Sequence, residues 1–282
     1  MNKPASGYAA RITLLTPQTP KPYIIMQTHH FVKQLKQLKL SGMAEQLELR
    51  LLEAQKNSLD YTGFLALLLS DELECRDQRK IERLLSQAQF GNPQCLEEYD
   101  TSLSTGLNPT LLRELATCRF IDKSQGVIIT GPPGTGKTHL ARGLGHAACR
   151  AVRSVRFFKF NQLFSQLDKM LDEENQRQWR KLIAHDLIII DDFAFRRITQ
   201  SQSEQLYQLV DTCYGNTSII LTSNRSLPDW LEVFPDSVIG GAILDRLAHN
   251  AHQITLKGES IRKKMRLDNQ PVTSLETNKK TP

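Results

Sequence analysis

The stretch "GVIITGPPGTGKTHLA", Gly126 to Ala141, decides the fold class. It places the pattern G-x-x-x-x-G-K-[ST], at Gly131 to Thr138, between an apolar β-rich run and the start of a helix, the setting this phosphate-gripping loop requires. Glycines let the backbone curl until successive N–H groups converge on phosphate oxygens, and the helix that follows adds its positive end. Gly131, Pro132, Pro133, Gly134, Thr135, Gly136, Lys137, Thr138 and His139 therefore read as a nucleotide-binding run. Lys137 is placed to reach the β- and γ-phosphates, and the Thr138 hydroxyl to ligate Mg²⁺. ATP and Mg²⁺ are the implied cofactors.

Downstream of this run, short apolar segments alternate with amphipathic ones. "VIIT" (127–130), "VRFFKF" (155–160), "LIII" (187–190), "SIILT" (218–222) and "HQITL" (252–256) are five candidate strands. With helices between them they predict an α/β fold, a parallel sheet covered on both faces. "LIIIDD" is a buried strand ending in two acids at the sheet's carboxyl edge. Asp191 is placed to hold the Mg²⁺ shell and Asp192 to polarise the attacking water. "LTSN" ends the next strand, so Asn224 is either a water-orienting group or a turn residue. Phe157, Phe158 and Phe160 adjoin basic residues but read more simply as core.

Upstream, residues 1–25 are rich in Pro, Thr and Ala without helical periodicity and predict disorder; Met26 is a candidate start. Residues 26–90 read as helices. Phe31, Leu35 and Leu38 form one apolar face, "LSG" at Leu40–Gly42 interrupts it, and Met43, Leu47 and Leu51 resume it. Asp60 is a candidate cap for a longer helix with a buried stripe of Tyr61, Leu65, Leu68 and Leu69. Residues 91–125 read as linker and lead-in, 126–266 as the nucleotide-binding domain, and 267–282 as a disordered tail.

The chain of 282 residues carries a formal charge of +6, which permits an anionic partner. Residues 1–44 contain six cations, Lys33, Lys36 and Lys39 among them, and no acid. Arg76, Arg79, Lys80 and Arg83 share a helix face, either as a phosphate-contacting stripe or as partners of Glu72 and other acids. Arg156, Lys159, Arg177, Arg180 and Lys181 are further candidates for contact with an anionic partner in the nucleotide-binding domain. The five cysteines lack metal-ligand spacing, which predicts no structural metal and a reducing, cytoplasmic setting. No run of about 20 apolar residues predicts a membrane span.

Taken together, "LKLSGMAEQL" (38–47), "GPPGTGKTHLA", "LIIIDDF", "LTSN", "DWLEVFPDSV" (229–238), "AILDRLAH" (242–249) and "GESIR" (258–262) resemble the IstB-like family. These are the ATP-binding helpers of bacterial insertion sequences, related to the DnaC helicase loader. The resemblance implies an AAA+ ATPase domain without a full lid, preceded by a helical DNA-binding domain. It also implies ATP-dependent self-assembly on double-stranded DNA and action with the element's transposase in the bacterial cytoplasm. On this footing Asn224 matches the first sensor. Arg246 matches an arginine finger offered to a neighbouring subunit, unless it simply pairs with Asp245. Arg262 is a weaker match to a second sensor. Cys213–Tyr214 stands where relatives usually carry Arg–Tyr, a departure that bears on assembly or turnover. A helicase loader and an ATP-gated DNA scaffold with negligible turnover are the alternative readings.

Overall fold

The computed structural model describes residues 22–91, 94–99, 106–171, 176–258 and 260. The expected disorder at residues 1–21 and 267–282 lies outside these residues, as does Arg262. The chain divides into two compact units between Arg79 and Lys80, a point that falls within a long helix.

The first unit holds α1 (Pro22–Gln37), α2 (Ser41–Asn57) and the start of α3 (Tyr61–Ala88). The first four residues of α1 fall in the stretch expected to be disordered. Its core is Met43, Leu47 and Leu68, packed with Val32, Leu35, Leu40, Leu51 and Phe64. Two of the expected faces are therefore rotated. Phe31 and Leu38 are 51% and 68% exposed. Helix α1 stops at Gln37 and turns through Lys39, at φ +61°, which carries Leu40 inward instead. On α3, Leu68 is buried, but Tyr61, Leu65 and Leu69 face outward.

Polar bonds decide that rotation. Glu72, buried, accepts from the backbone N–H of Gly42 at 2.8 Å and of Met43 at 3.3 Å, so it caps α2 from the neighbouring helix. Arg50 grips Asp71 through two hydrogen bonds of 2.8 and 2.7 Å, which hold that carboxyl below its ordinary range. Helical spacing then turns Phe64 and Leu68 inward and leaves 61, 65 and 69 outside. Asp60 does cap α3, accepting from Gly63 N at 2.8 Å.

The interruption at "LSG" has a steric cause. A Cβ on Gly42 would lie 2.6 Å from the Asp71 carbonyl oxygen and 2.7 Å from Cys75 Cβ. Gly42→Ala is expected to destabilise the protein by roughly 1–3 kcal/mol, the usual range for overpacking. Urea denaturation of both proteins checks this; an unchanged midpoint would contradict the packing of α2 on α3.

The second unit is built on a five-stranded parallel sheet in the order β2-β3-β4-β1-β5. Its strands are β1 (Gly126–Thr130), β2 (Val155–Lys159), β3 (Leu187–Asp191), β4 (Ser218–Ser223) and β5 (Ala251–Thr255). This is the parallel, doubly covered α/β sheet that the sequence predicts, with the P-loop run following β1. Val127, Ile129, Leu187 and Ile189 point into one core layer, and Ile128, Ile188 and Ile190 into the other. Burial on both faces explains why the strands read as unbroken apolar runs.

Against the first layer packs α6 (Lys137–Arg150); against the second pack α7 (Phe160–Leu171), α8 (Gln176–Ile183), α9 (Gln200–Cys213) and α10 (Ser237–His249). Phe157, Phe158 and Phe160 are all core. The stretch expected to be linker belongs to this unit. It contributes α4 (Pro109–Ala116) and α5 (Arg119–Asp122), and it buries Tyr99, Leu107, Leu115, Phe120 and Ile121, next to Phe90 just before it. Phe90 lies where a Cβ on Gly145 of α6 would come within 2.6 Å of its ring, and Leu96 sits similarly over Gly143. Small residues on α6 thus make room for a segment whose own apolar positions are too widely spaced to announce an element. No helix among the described residues is long and apolar enough to cross a membrane.

Candidate functional site

The loop after β1 runs over the sheet's carboxyl edge into α6. Gly131 and Gly134 have φ of +145° and +84°, a region that favours glycine, and they give the loop its curl. Gly131 has a second constraint, since a Cβ there would meet the Leu256 carbonyl oxygen at 2.3 Å. The Thr135 hydroxyl donates to Pro132 O at 2.9 Å and tightens the turn. Lys137, 5% exposed, donates from Nζ to the carbonyls of Gly131 (2.8 Å) and Pro132 (2.7 Å), so its ammonium is held inside the loop.

Thr138, in the first turn of α6, donates from Oγ1 to Asp191 Oδ1 at 2.9 Å. Asp191 is 2% exposed and also accepts from Thr222 Oγ1 at 2.5 Å. Thr222 in turn accepts from the Asp192 N–H at 3.0 Å. The two acids of "LIIIDD" therefore have different settings. Asp191 is buried among hydroxyls beside the P-loop helix; Asp192, half-buried at φ +57°, leaves the strand end in a left-handed turn. A left-handed turn at a residue other than glycine carries a conformational cost of roughly 1–2 kcal/mol. The β3–β4 register sets Asn224, exposed, one residue beyond the end of β4 on the same edge.

These residues fit the phosphates and metal of a nucleotide. An ammonium, a helix N-terminus, a hydroxyl and a buried carboxylate converge within one loop and one strand end. The His139 ring packs edge-on against Tyr99 at 5.5 Å. Thr222 is the group that sequence reasoning passed over, although it stands in the quoted "LTSN"; a hydroxyl beside a paired acid was the available signal.

Lys137→Ala is expected to weaken ATP binding about 10- to 100-fold, the size of one charge-assisted hydrogen bond or two. Titration with a fluorescent ATP analogue measures this, with thermal unfolding as the check on folding. Unchanged affinity would remove Lys137 from the site.

Arg246 lies at the opposite edge of the sheet. It lines a cavity with Gly126, Thr217 and Asn250, which stand at or beside the amino ends of β1, β4 and β5. A five-residue strand spans about 16 Å, so the P-loop at the far end of β1 is beyond this side chain's reach. Its guanidinium donates to Asp211 (3.0 Å), Tyr207 Oη (3.2 Å) and Ala242 O (3.0 Å), and it stacks over the Tyr207 ring. The intrachain partner is thus Asp211, not the expected Asp245, because α10 packs on α9 and Asp245 faces outward. Cys213 lines the same cavity; burial pushes its thiol up to about 12 and keeps it neutral.

The remaining basic candidates differ in exposure and engagement. Lys33, Lys36, Lys39, Lys80, Arg83, Lys159, Arg177, Arg180 and Lys181 are exposed, with Arg180 donating to Gln176 Oε1 at 3.5 Å. Arg76 pairs with Glu72 at 2.7 Å, and Arg79 bonds Ser41 and Glu45. Arg156 donates to Gln87 O at 3.0 Å and lies over Phe158, so it serves the fold.

Comparison with known proteins identifies the family. The model of the IstB-like ATP binding protein family matches residues 33–269. A Pseudomonas aeruginosa protein named for ATP binding in insertion sequence IS21 is 36% identical over 84% of this chain and 89% of its own length. A Mycobacterium tuberculosis insertion-sequence protein, likewise named for ATP binding, is 36% identical over 82% of this chain and 93% of its own. Among solved structures, the DnaC helicase loader aligns with 60% of this chain and 99% of its own at 22% identity and a TM-score of 0.48. With the P-loop, the paired acids and the strand order in place, the chain belongs to the IstB-like ATP-binding protein family.

Proposed function

We propose that this protein is an ATP-hydrolysing helper of transposition that assembles on duplex DNA and acts with the transposase of its element. The observation that carries the reading is the division of the site between two edges of the sheet. Lys137, Thr138, Asp191 and Asp192 gather at the carboxyl edge, and Arg246 stands at the amino edge. One chain cannot bring them together, so a nucleotide held by one subunit meets Arg246 only from the next.

Within that assembly Thr138 and Asp191 would hold Mg²⁺, with Lys137 on the β- and γ-phosphates. Bound Mg²⁺ would supply charge neutralisation for the phosphoryl oxygens. Asp192 would take the proton of the attacking water while Asn224 orients it. Arg246 from the neighbour would offset charge that develops on the γ-phosphate. Hydrolysis would then remove the contacts that bind subunits together and release the DNA. The names of the IS21-type relatives support the setting in an insertion sequence. The exposed cations of both units support a phosphate-backbone interaction with little sequence preference.

Sedimentation tests the assembly. With ATP and a duplex longer than a single subunit's footprint, the protein should sediment as a multimer on DNA, and with ADP as free protein. A monomer in every nucleotide state would contradict the divided site. Assembly only on single strands, or only with a replicative helicase present, would favour a loader.

A further inference from the structure

The turn that follows Asp192 exposes an aromatic and two arginines between buried anchors. Phe193, Ala194 and Ile198 are buried, while the three residues between them, Phe195, Arg196 and Arg197, are exposed; Phe195 is 61% so. Among the described residues neither arginine has a carboxylate partner, and Arg196 donates only to the Arg197 carbonyl. Between Phe193 and Thr199 there are two cations and no acid. Lys159, also exposed, ends the adjacent strand opposite Asp191 in the register. An exposed aromatic between anchored neighbours, next to two unpaired guanidiniums, matches the chemistry of a duplex backbone. Arginines take phosphates, and the ring takes sugar edges or a base step.

The roots of the turn are fixed at both ends. Phe193 N–H donates to Thr222 O at 2.7 Å, and its own carbonyl accepts from Ser223 Oγ at 2.8 Å. Trp230 Nε1 donates to the same Ser223 hydroxyl at 3.1 Å. On the far side Ile198 N–H donates to Val233 O at 3.0 Å, and Thr199 caps α9. A load on the tip therefore does not dissipate into a loose loop. It acts on the ends of β3 and β4, where Asp192 and Asn224 stand. Asp192 and Ala194 both hold left-handed φ, of +57° and +60°. Such backbone persists where the surroundings over-determine it, and it leaves the acid sensitive to a small shift of the turn.

We propose that Phe195, Arg196 and Arg197 form a duplex-DNA contact that sets the position of Asp192, so that DNA engagement is read directly at the hydrolytic site. Phe195 and the two arginines are positioning residues in this scheme. The inference rests on the DNA-dependent ATPase reading above and adds to it the element through which DNA acts.

The test uses the full chain in wild-type, Arg196→Ala/Arg197→Ala, Arg196→Lys/Arg197→Lys and Phe195→Ala forms. Duplex affinity is measured with ATP across salt concentrations, together with the ratio of ATP turnover with duplex to turnover without it. Two lost phosphate contacts should lower the slope of log affinity against log salt by about 1.8. The alanine pair should also bring the turnover ratio close to one, and the lysine pair should restore the slope. Phe195→Ala should lower the turnover ratio while leaving the slope unchanged. Wild-type slope and ratio in the alanine pair would overturn the inference and leave the ATPase reading intact. Absence of ATP-dependent duplex binding by the wild type would overturn both. An unchanged DNA slope with a lost response to the transposase would put a protein on the turn instead of DNA, and a slope change seen only with single strands would also overturn it.

Discussion

Replacing Arg246 by alanine is expected to lower assembled ATP turnover by about 10³-fold, with ATP affinity changed little. The reason is the placement of Arg246 at the amino edge of the sheet, a strand's length from its own P-loop. On the proposed reading, a side chain there would contribute nothing to nucleotide binding within one subunit and would act only on the charge of a neighbour's transition state. The competing reading is structural, since Arg246 bonds Asp211 and Tyr207. Mixing separates the two. Arg246→Ala subunits retain an intact P-loop edge, and Asp192→Asn subunits retain an intact arginine. Each alone should be nearly inactive, and equal amounts together should regain a measurable part of wild-type turnover. A merely structural arginine would give a lowered melting temperature and no recovery on mixing.

Asp192→Asn is the second large effect. Removing a positioned general base costs typically 10²- to 10⁴-fold, and the substitution keeps the size and the left-handed turn, which asparagine tolerates well. The variant should bind ATP normally, turn it over at most at about a hundredth of the wild-type rate, and form complexes on duplex DNA that outlast those of the wild type. Asp191 predicts a different phenotype. It is the carboxylate that Thr138 and Thr222 surround, so its loss should reduce metal-dependent nucleotide binding itself. Single-turnover kinetics distinguish the two positions; equal losses of binding in both variants would contradict the assigned division.

Most of the second unit is legible in the sequence alone. The five candidate strands fall on the five observed ones, because strands buried on both faces must be apolar throughout and the P-loop fixes the order in which they are read. Asp191 was legible for the same reason, as an acid that ends such a strand. What stayed hidden depended on contacts distant in sequence. The lead-in at 91–125 shows no periodicity, yet its Leu96, like Phe90 just before it, fits over a glycine of α6 more than forty residues later. Helix α3 carries two overlapping apolar stripes, and only the bonds from Glu72 to Gly42 and from Asp71 to Arg50 choose between them. Phe195 to Arg197 looks like an ordinary loop in the sequence. Its meaning comes from the buried anchors on either side and from its root beside Asp192.

On the proposed reading, duplex DNA and a second subunit complete an ATPase whose parts one chain holds apart. Steady-state ATP turnover of the wild-type protein, measured over a range of protein concentrations without DNA, with duplex and with single-stranded DNA, separates this from a self-contained site. Turnover should rise on duplex, rise more steeply than linearly with protein concentration, and fall as salt is added. Turnover that is independent of protein concentration and indifferent to duplex would contradict it.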